Sequence, residues 1–221
     1  MTISEENYLK IIYHLSVVST KEISTNAIAE KLSTKASSVT DMIKKLAEKE
    51  LVFYQKYKGV SLSPKGVLIA AMIVRKHRLW EVFLVQKLGF SWDEVHEIAE
   101  ELEHIKSDKL IDKLDSFLDY PTFDPHGDPI PNKNGIIISM DKMLLSEAKA
   151  GSNYLCVGVK NSSVEFLLHL DKLKIKLGES FEVLSKEDFD DSFTLTLKDS
   201  IISVSNKTAE NLYIKNIFNH E

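Results

Sequence analysis

Four of the five prolines in this 221-residue chain, Pro121, Pro125, Pro129 and Pro131, fall between Tyr120 and Pro131. Each fixes its own φ and lacks an amide hydrogen, so neither a helix nor a central strand can run through the stretch. It separates two kinds of sequence. Upstream, apolar residues recur at helical spacing; beyond Tyr154 they come in short β-type runs. The expected fold is mainly α with a small β part.

Upstream, Ser4 is placed as an N-cap, with Tyr8, Ile11, Ile12 and Leu15 behind it at helical spacing, predicting a helix over residues 4–18. Ala27, Ile28, Ala29 and Leu32 mark a short second helix. A turn at residues 33–36 follows, then a third helix with Val39, Met42, Ile43 and Leu46 inward. Two short helices about a tight turn form a helix-turn-helix. Residues 51–57 and 60–62 flank Lys58-Gly59 as a hairpin, the wing of such a module. Pro64 suits the first turn of a long helix ending near Gly89, and Ser91 and Ser107 are expected to cap helices over 91–105 and 107–119. Residues 139–150 read as one more helix, a connector. The later runs, 154–159, 181–184, 193–197, 201–204 and 212–214, with an amphipathic segment at 164–173, predict a small β-barrel. The expected divisions are a winged helix-turn-helix at 1–63, a helical domain at 64–131, a linker with a helix at 132–152, and the barrel at 153–221.

The net charge of −5 hides an uneven distribution. Residues 1–78 carry thirteen basic against seven acidic groups, a net +6, whereas residues 79–131 carry four against thirteen, a net −9. A basic first third before an acidic middle fits a DNA-binding module joined to a cation-holding one. Cys156 is the only cysteine, which excludes an internal disulfide and any cysteine-based metal motif. Any metal must be held by His, carboxylate and amide groups. With no apolar run of about 18 residues and no basic-apolar leader, the expectation is a cytoplasmic protein without a membrane partner.

The third helix leads with Lys35, Ser37, Ser38, Thr40 and Asp41, and Lys44 and Lys45 follow one turn later. Lysines there, with Lys56 and Lys58 on the wing, supply the salt-dependent attraction to phosphate. No Arg or Gln stands in the leading turns to grip a guanine or adenine edge, so specificity is expected from methyl contacts and DNA shape.

The sharpest pattern is His96, Glu100, Glu103 and His104, whose offsets of four, seven and eight place all four on one helical stripe. His77 and Glu81, four apart, share a face of the preceding long helix. Burying Glu100 and Glu103 without a cation would cost several kcal/mol apiece or force their protonation. Two such faces on neighbouring helices offer the imidazole nitrogen and carboxylate oxygen that a first-row divalent ion takes.

Three ordered motifs, Arg75-Lys76-His77-Arg78-Leu79-Trp80-Glu81, the set Val95, His96, Glu100, Glu103, His104, Ser107 and Asp108, and Pro125-His126-Gly127-Asp128-Pro129-Ile130-Pro131, resemble the diphtheria-toxin-repressor family of iron- and manganese-dependent repressors. The resemblance implies a winged helix-turn-helix, a helical dimerisation domain and a C-terminal SH3-like domain. It further implies a homodimer that binds double-stranded operator DNA when loaded with metal and controls metal-homeostasis genes. By position, the family's primary site resembles Asn7, Glu100, Glu103 and His104. Its ancillary site resembles His77, Glu81 and His96 with a further ligand from the C-terminal domain, placed at Glu165 with His169 as rival. Three positions depart from the family's pattern. Position 7 carries a neutral amide where Asp or Met is usual. Lys10 stands where some binuclear manganese sensors have a second carboxylate. Glu100 replaces the cysteine of the iron-responsive branch. A thiolate-free site favours Mn²⁺, with Fe²⁺ the alternative.

Two other classes fit parts of the pattern. A metallohydrolase could use the same His and Glu residues, but no HExxH motif is present, so no enzymatic activity is expected. A winged-helix regulator sensing a non-metal ligand would make the stripe a salt network.

Overall fold

The computed structural model describes residues 1–18, 22–138, 140–198 and 200–217. It comprises two compact units: Met1–Trp80 with Ala99–Tyr120 and Ile130–Ile138, and Glu81–Ile98 with Pro121–Pro129 and Ser139–Glu221. Among the described residues no helix is long and apolar enough to cross a membrane.

The first unit begins with α1 (Ile3–Val18), α2 (Thr25–Lys31) and α3 (Ala36–Glu48). The N-cap of α1 is Thr2, not Ser4. Thr2 Oγ1 accepts the Glu5 amide at 3.2 Å while the Glu5 carboxylate accepts that of Thr2 at 3.1 Å, a reciprocal box that satisfies two orphan donors. Ser24 caps α2 by accepting from the Ala27 amide. Leu9, Ile12, Ile28, Val39, Ile43 and Leu46 are fully buried against one another, the helical stripes read from the sequence.

β1 (Val52–Gln55) and β2 (Gly59–Leu62) form the wing hairpin, in the register Val52 to Leu62 and Gln55 to Gly59. Its loop is therefore Lys56-Tyr57-Lys58, one residue longer and earlier than the expected Lys58-Gly59 turn. Gly59 belongs to the strand with φ +139°, and a Cβ there would lie 2.8 Å from the Ile23 carbonyl oxygen. That close approach allows Ile23 and Val60 to exchange two 2.9 Å backbone hydrogen bonds, adding a third rung to the wing.

α4 (Pro64–Leu88) starts where Ser63 Oγ accepts the Gly66 amide and donates to the Glu50 carbonyl. Gly66 is required by space, since a Cβ would sit 1.9 Å from the Leu51 carbonyl oxygen. Within this unit buried Arg75 of α4 donates to Asp115 at 2.6 Å and to the Pro131 carbonyl at 2.8 Å. α5 (Val95–Leu102) and α6 (Asp108–Phe117) follow. Ser107 caps α6 as expected, but α5 is four residues shorter at its start than the sequence suggested. Ser91 and Glu94 close a separate turn instead, the Glu94 carboxylate accepting both the amide and the hydroxyl of Ser91.

The second unit holds a six-stranded antiparallel sheet in the order β3-β8-β4-β5-β6-β7. Its strands are β3 (Met143–Leu144), β4 (Ser152–Val159), β5 (Ser180–Lys186), β6 (Phe193–Leu197), β7 (Ser200–Val204) and β8 (Leu212–Asn216). α7 (Val164–Lys172) and α8 (Asn206–Ala209) are its helices. Tyr154, Leu167, Leu170, Val183, Phe193 and Leu195 form its core. The connector helix expected over 139–150 is absent. Ser139 lies outside the described residues, Met143 and Leu144 pair with β8, and residues Leu145–Glu147 form one 3₁₀ turn. A ladder partner overrides the local helical spacing there. In the proline-rich segment, Asp124 Oδ1 accepts the amides of His126 and Asp128, which fixes a tight turn. Gly127 sits in that turn at φ +83°, where a Cβ would meet the Val157 carbonyl oxygen at 2.1 Å.

Candidate metal centres and nucleic-acid interface

In the first unit, helical spacing puts Glu6, Asn7 and Lys10 of α1 on one face, and Glu100 near the end of α5 is followed by Glu103 and His104 just past it. The regular helix stops at Leu102, but the Glu103 amide still bonds the Ala99 carbonyl at 2.9 Å, so the stripe keeps its helical direction. Glu103 is fully buried. Its Oε2 accepts from Lys10 Nζ at 2.7 Å and lies 2.7 Å from His77 Nδ1, while Glu100 Oε1 is also bonded by Lys10. Glu103 Oε1 faces the other way and is buried without a hydrogen-bond partner, as is Asn7 Oδ1. His104 Nε2 lies 3.9 Å from that same Oε1. The opposite nitrogen of His104, Nδ1, is 2.6 Å from Glu6 Oε2. A carboxylate only accepts, so Nδ1 carries a hydrogen and Nε2 is the nitrogen on the Glu103 side. Two orphan acceptor oxygens and one oriented imidazole nitrogen suit a cation, since no hydrogen is offered to either oxygen. Of the set that the resemblance implied, Glu103 and His104 lie side by side, Glu100 shares Lys10 with Glu103, and Asn7 stands on α1 between Glu6 and Lys10, which bond His104 and Glu103. Glu6, which orients His104, was missed by the sequence reading, although its position beside Asn7 on α1 could have flagged it.

The second unit holds a different cluster. Glu81 is buried, with its Oε1 3.7 Å from His96 Nδ1 and 3.7 Å from His126 Nδ1. Glu81, Asp124 and His126, all buried, form one of the groups able to hold a metal ion. His126 Nε2 donates to the Trp92 carbonyl at 2.8 Å, and its ring stacks on Trp92 at 6.3 Å between centroids. That bond leaves Nδ1 as the nitrogen facing the carboxylates. Burial alone would discourage charge on His126, but Glu81 and Asp124 outweigh it and hold the imidazole pKa up to about 9. Glu81 and His96 meet as expected, and His77 lies one turn from Glu81 on α4. Asp124 and His126 were not read as ligands. Their signal was the Asp-Pro-His-Gly turn, which only the folded loop carries to Glu81.

Glu165 is not brought to this cluster. It stands in the first turn of α7, exposed, outside every metal-capable group among the described residues. Its rival His169 is also exposed and bonds Thr208 at 3.1 Å. The amphipathic period of α7 explains both, because Leu167 and Leu170 take the inward face. Cys156 is buried in the sheet core, where desolvation pushes its thiol up to about 12.

On α3, Lys35, Ser37, Ser38, Asp41, Lys44 and Lys45 are exposed. Lys35 is the N-cap and makes no side-chain cap bond, so the amides of the first turn are open to an anion. Thr40 is half-buried and its hydroxyl donates to the Ala36 carbonyl, leaving its methyl as the outward group. Asp41 lies 3.8 Å from Lys44. At the wing tip Lys56 and Lys58 flank Tyr57, which is 93% exposed.

Fold and clusters together define a winged-helix regulator that carries candidate cation centres. Residues 1–60 match the family described as iron dependent repressor, N-terminal DNA binding domain. Residues 63–132 match its metal binding and dimerisation domain, and residues 143–216 match the FeoA domain. The chain belongs to the iron-dependent, or diphtheria-toxin-type, repressor family. It is 37% identical over 119 residues to the HTH-type transcriptional regulator MntR of Geobacillus kaustophilus, covering 54% of this chain and 83% of that one. It is 33% identical over 126 residues to the iron-dependent repressor IdeR of Mycobacterium tuberculosis, covering 57% of this chain and only 54% of that relative. A solved manganese-dependent transcriptional repressor in complex with manganese matches with a TM-score of 0.85 at 31% identity, over 96% of this chain and 99% of that one.

Proposed function

We propose that the chain is a metal-activated transcriptional repressor that binds double-stranded operator DNA as a homodimer, with Mn²⁺ as its effector and Fe²⁺ as the alternative. The genes it governs are those of metal homeostasis. The observation that carries this reading is that two buried oxygens lack hydrogen-bond partners, Asn7 Oδ1 on α1 and Glu103 Oε1, the latter 3.9 Å from His104 Nε2. One of them belongs to the first helix of the DNA-binding module and the other to the α5 stripe, so an ion held there ties the two. The donors are oxygen and imidazole nitrogen, which suit Mn²⁺ and Fe²⁺ and offer no thiolate. Glu81, Asp124 and His126, with His96 beside Glu81, would hold a second ion.

The bound ion supplies positive charge that offsets the buried carboxylates. The protein's own residues do the rest. Glu6 keeps His104 in the ligating tautomer, and α1 shares the core of the DNA-binding module with α3 through Leu9 and Ile12. In a dimer, two such reading heads are set about 34 Å apart to enter successive major grooves. A ten- to hundredfold change in DNA affinity requires only about 1.4–2.7 kcal/mol of differential binding, within reach of one coordinated ion.

The test is anaerobic titration of free Mn²⁺ and Fe²⁺ against fluorescence anisotropy of an operator duplex obtained by binding-site enrichment. Affinity should rise at least tenfold on metal addition and revert with chelator. Affinity indifferent to both would end the reading.

A further inference from the structure

Lys10 is a buried cation of the first unit. Its side chain is 7% exposed and its ammonium bonds Glu100 Oε1 and Glu103 Oε2 together. Those two carboxylates and His77 form a group that could itself hold a metal ion, and the ammonium sits on the oxygens such an ion would use. His77 Nδ1 is 2.7 Å from the same Glu103 Oε2. The cluster therefore has its full complement: two acidic groups, one imidazole and one tethered positive charge. The remaining oxygen of Glu103 points away from Lys10 toward His104.

We propose that Lys10 is a built-in cation that occupies the His77/Glu100/Glu103 cluster in place of a metal ion, and that it stays there when the neighbouring Asn7/Glu103/His104 site is loaded. Glu103 is then a two-sided carboxylate, with Oε2 held by the chain's own ammonium and Oε1 kept for the effector. An ammonium and a divalent ion cannot share the same oxygens, so Lys10 limits this region to one ion per chain. It also ties α1 to α5 before any metal arrives. This inference rests on the metal-sensor reading.

Two measurements test it. The first is equilibrium dialysis against Mn²⁺ with elemental analysis, comparing the full-length wild type with Lys10→Gln and Lys10→Glu, each checked for retained helicity. Removing the ammonium frees the cluster, so both variants should take up one more Mn²⁺ per chain than the wild type. Lys10→Glu, with a third carboxylate, should bind that ion at least tenfold more tightly than Lys10→Gln. Equal ion counts in all three proteins would overturn the proposal. The second uses the wild type alone: amine acylation followed by peptide mass spectrometry, with and without saturating Mn²⁺. Lys10 should stay protected in both states, while exposed lysines such as Lys44 react. Protection lost on Mn²⁺ addition means that the ion displaces the lysine, which overturns the proposal. A wild type that binds no Mn²⁺ beside a Lys10→Glu that binds one would refute the sensor reading and uphold the lysine. No uptake by any of the three proteins would refute both.

Discussion

The two clusters use the same chemistry and balance their charge differently. In the first unit, Glu103 and Glu100 are paired with the Lys10 ammonium, which bonds both carboxylates. In the second, Glu81 and Asp124 are neutralised by His126, whose imidazole is held charged up to about pH 9. A buried acidic cluster must carry compensating charge before its ion arrives, and the identity of that charge decides what the ion must displace. At the second cluster an incoming ion would displace the proton that Glu81 and Asp124 hold on His126. At the first, an ion would meet the Lys10 ammonium already bonded to Glu100 and Glu103, with the unpartnered Oε1 of Glu103 beside it.

The largest expected effect that would break this contrast comes from Glu103, the residue serving both Lys10 and the orphan-oxygen site. Glu103→Gln should remove the whole Mn²⁺-dependent gain in operator affinity by anisotropy. It should also destabilise the metal-free protein by about 3 kcal/mol in urea unfolding, because a buried ammonium loses a partner. Retained metal response would place the activating ion elsewhere.

Next in size is the pH dependence of the metal-free protein. His126 has a folded pKa of about 9 against an ordinary 6.5, so its contribution to stability is fully present below about pH 6.5 and is lost as pH rises through 9. The full difference corresponds to roughly 3 kcal/mol. Glu81→Gln should flatten that slope in unfolding midpoints between pH 6 and 9.5. An unchanged slope would assign the effect to another group.

Smaller still is Asp124→Asn, which keeps the turn acceptor but removes a charge. Mn²⁺ affinity at the second cluster should fall about tenfold, as one pKa unit's worth of electrostatic interaction would give, by isothermal titration. The smallest effect is expected from Glu165→Ala, which should leave Mn²⁺ uptake within twofold. A tenfold loss would bring α7 into the site and erase the simple contrast drawn here.

Much of the first cluster was legible because it lies on helices. Glu100, Glu103 and His104 follow a helical period, so a linear pattern already implies a shared face. The second cluster was only half legible. Asp124 and His126 reach Glu81 through an irregular turn closed by the Asp124 side chain and by the approach of Gly127 to Val157, and no periodicity encodes that path. The same reasoning covers the two misplaced elements. Spacing over 139–150 is compatible with a helix until β8 offers Met143 and Leu144 a ladder. Lys58-Gly59 is an acceptable two-residue turn until Ile23 claims Gly59 and Val60 for the strand.

Local periodicity and residue chemistry were enough to define the winged helix-turn-helix, the order of helices before strands, and a thiolate-free stripe of His and Glu. Those features depend on neighbours within a turn or two of the chain, where backbone geometry alone sets which side chains share a face. The fold in three dimensions decided which charges pair. It put the Lys10 ammonium on Glu100 and Glu103, left Asn7 Oδ1 and Glu103 Oε1 without hydrogens, and brought His126 rather than Glu165 toward Glu81. Charge pairing across a buried site depends on distances of a few ångströms between segments ninety residues apart, and only packing sets those.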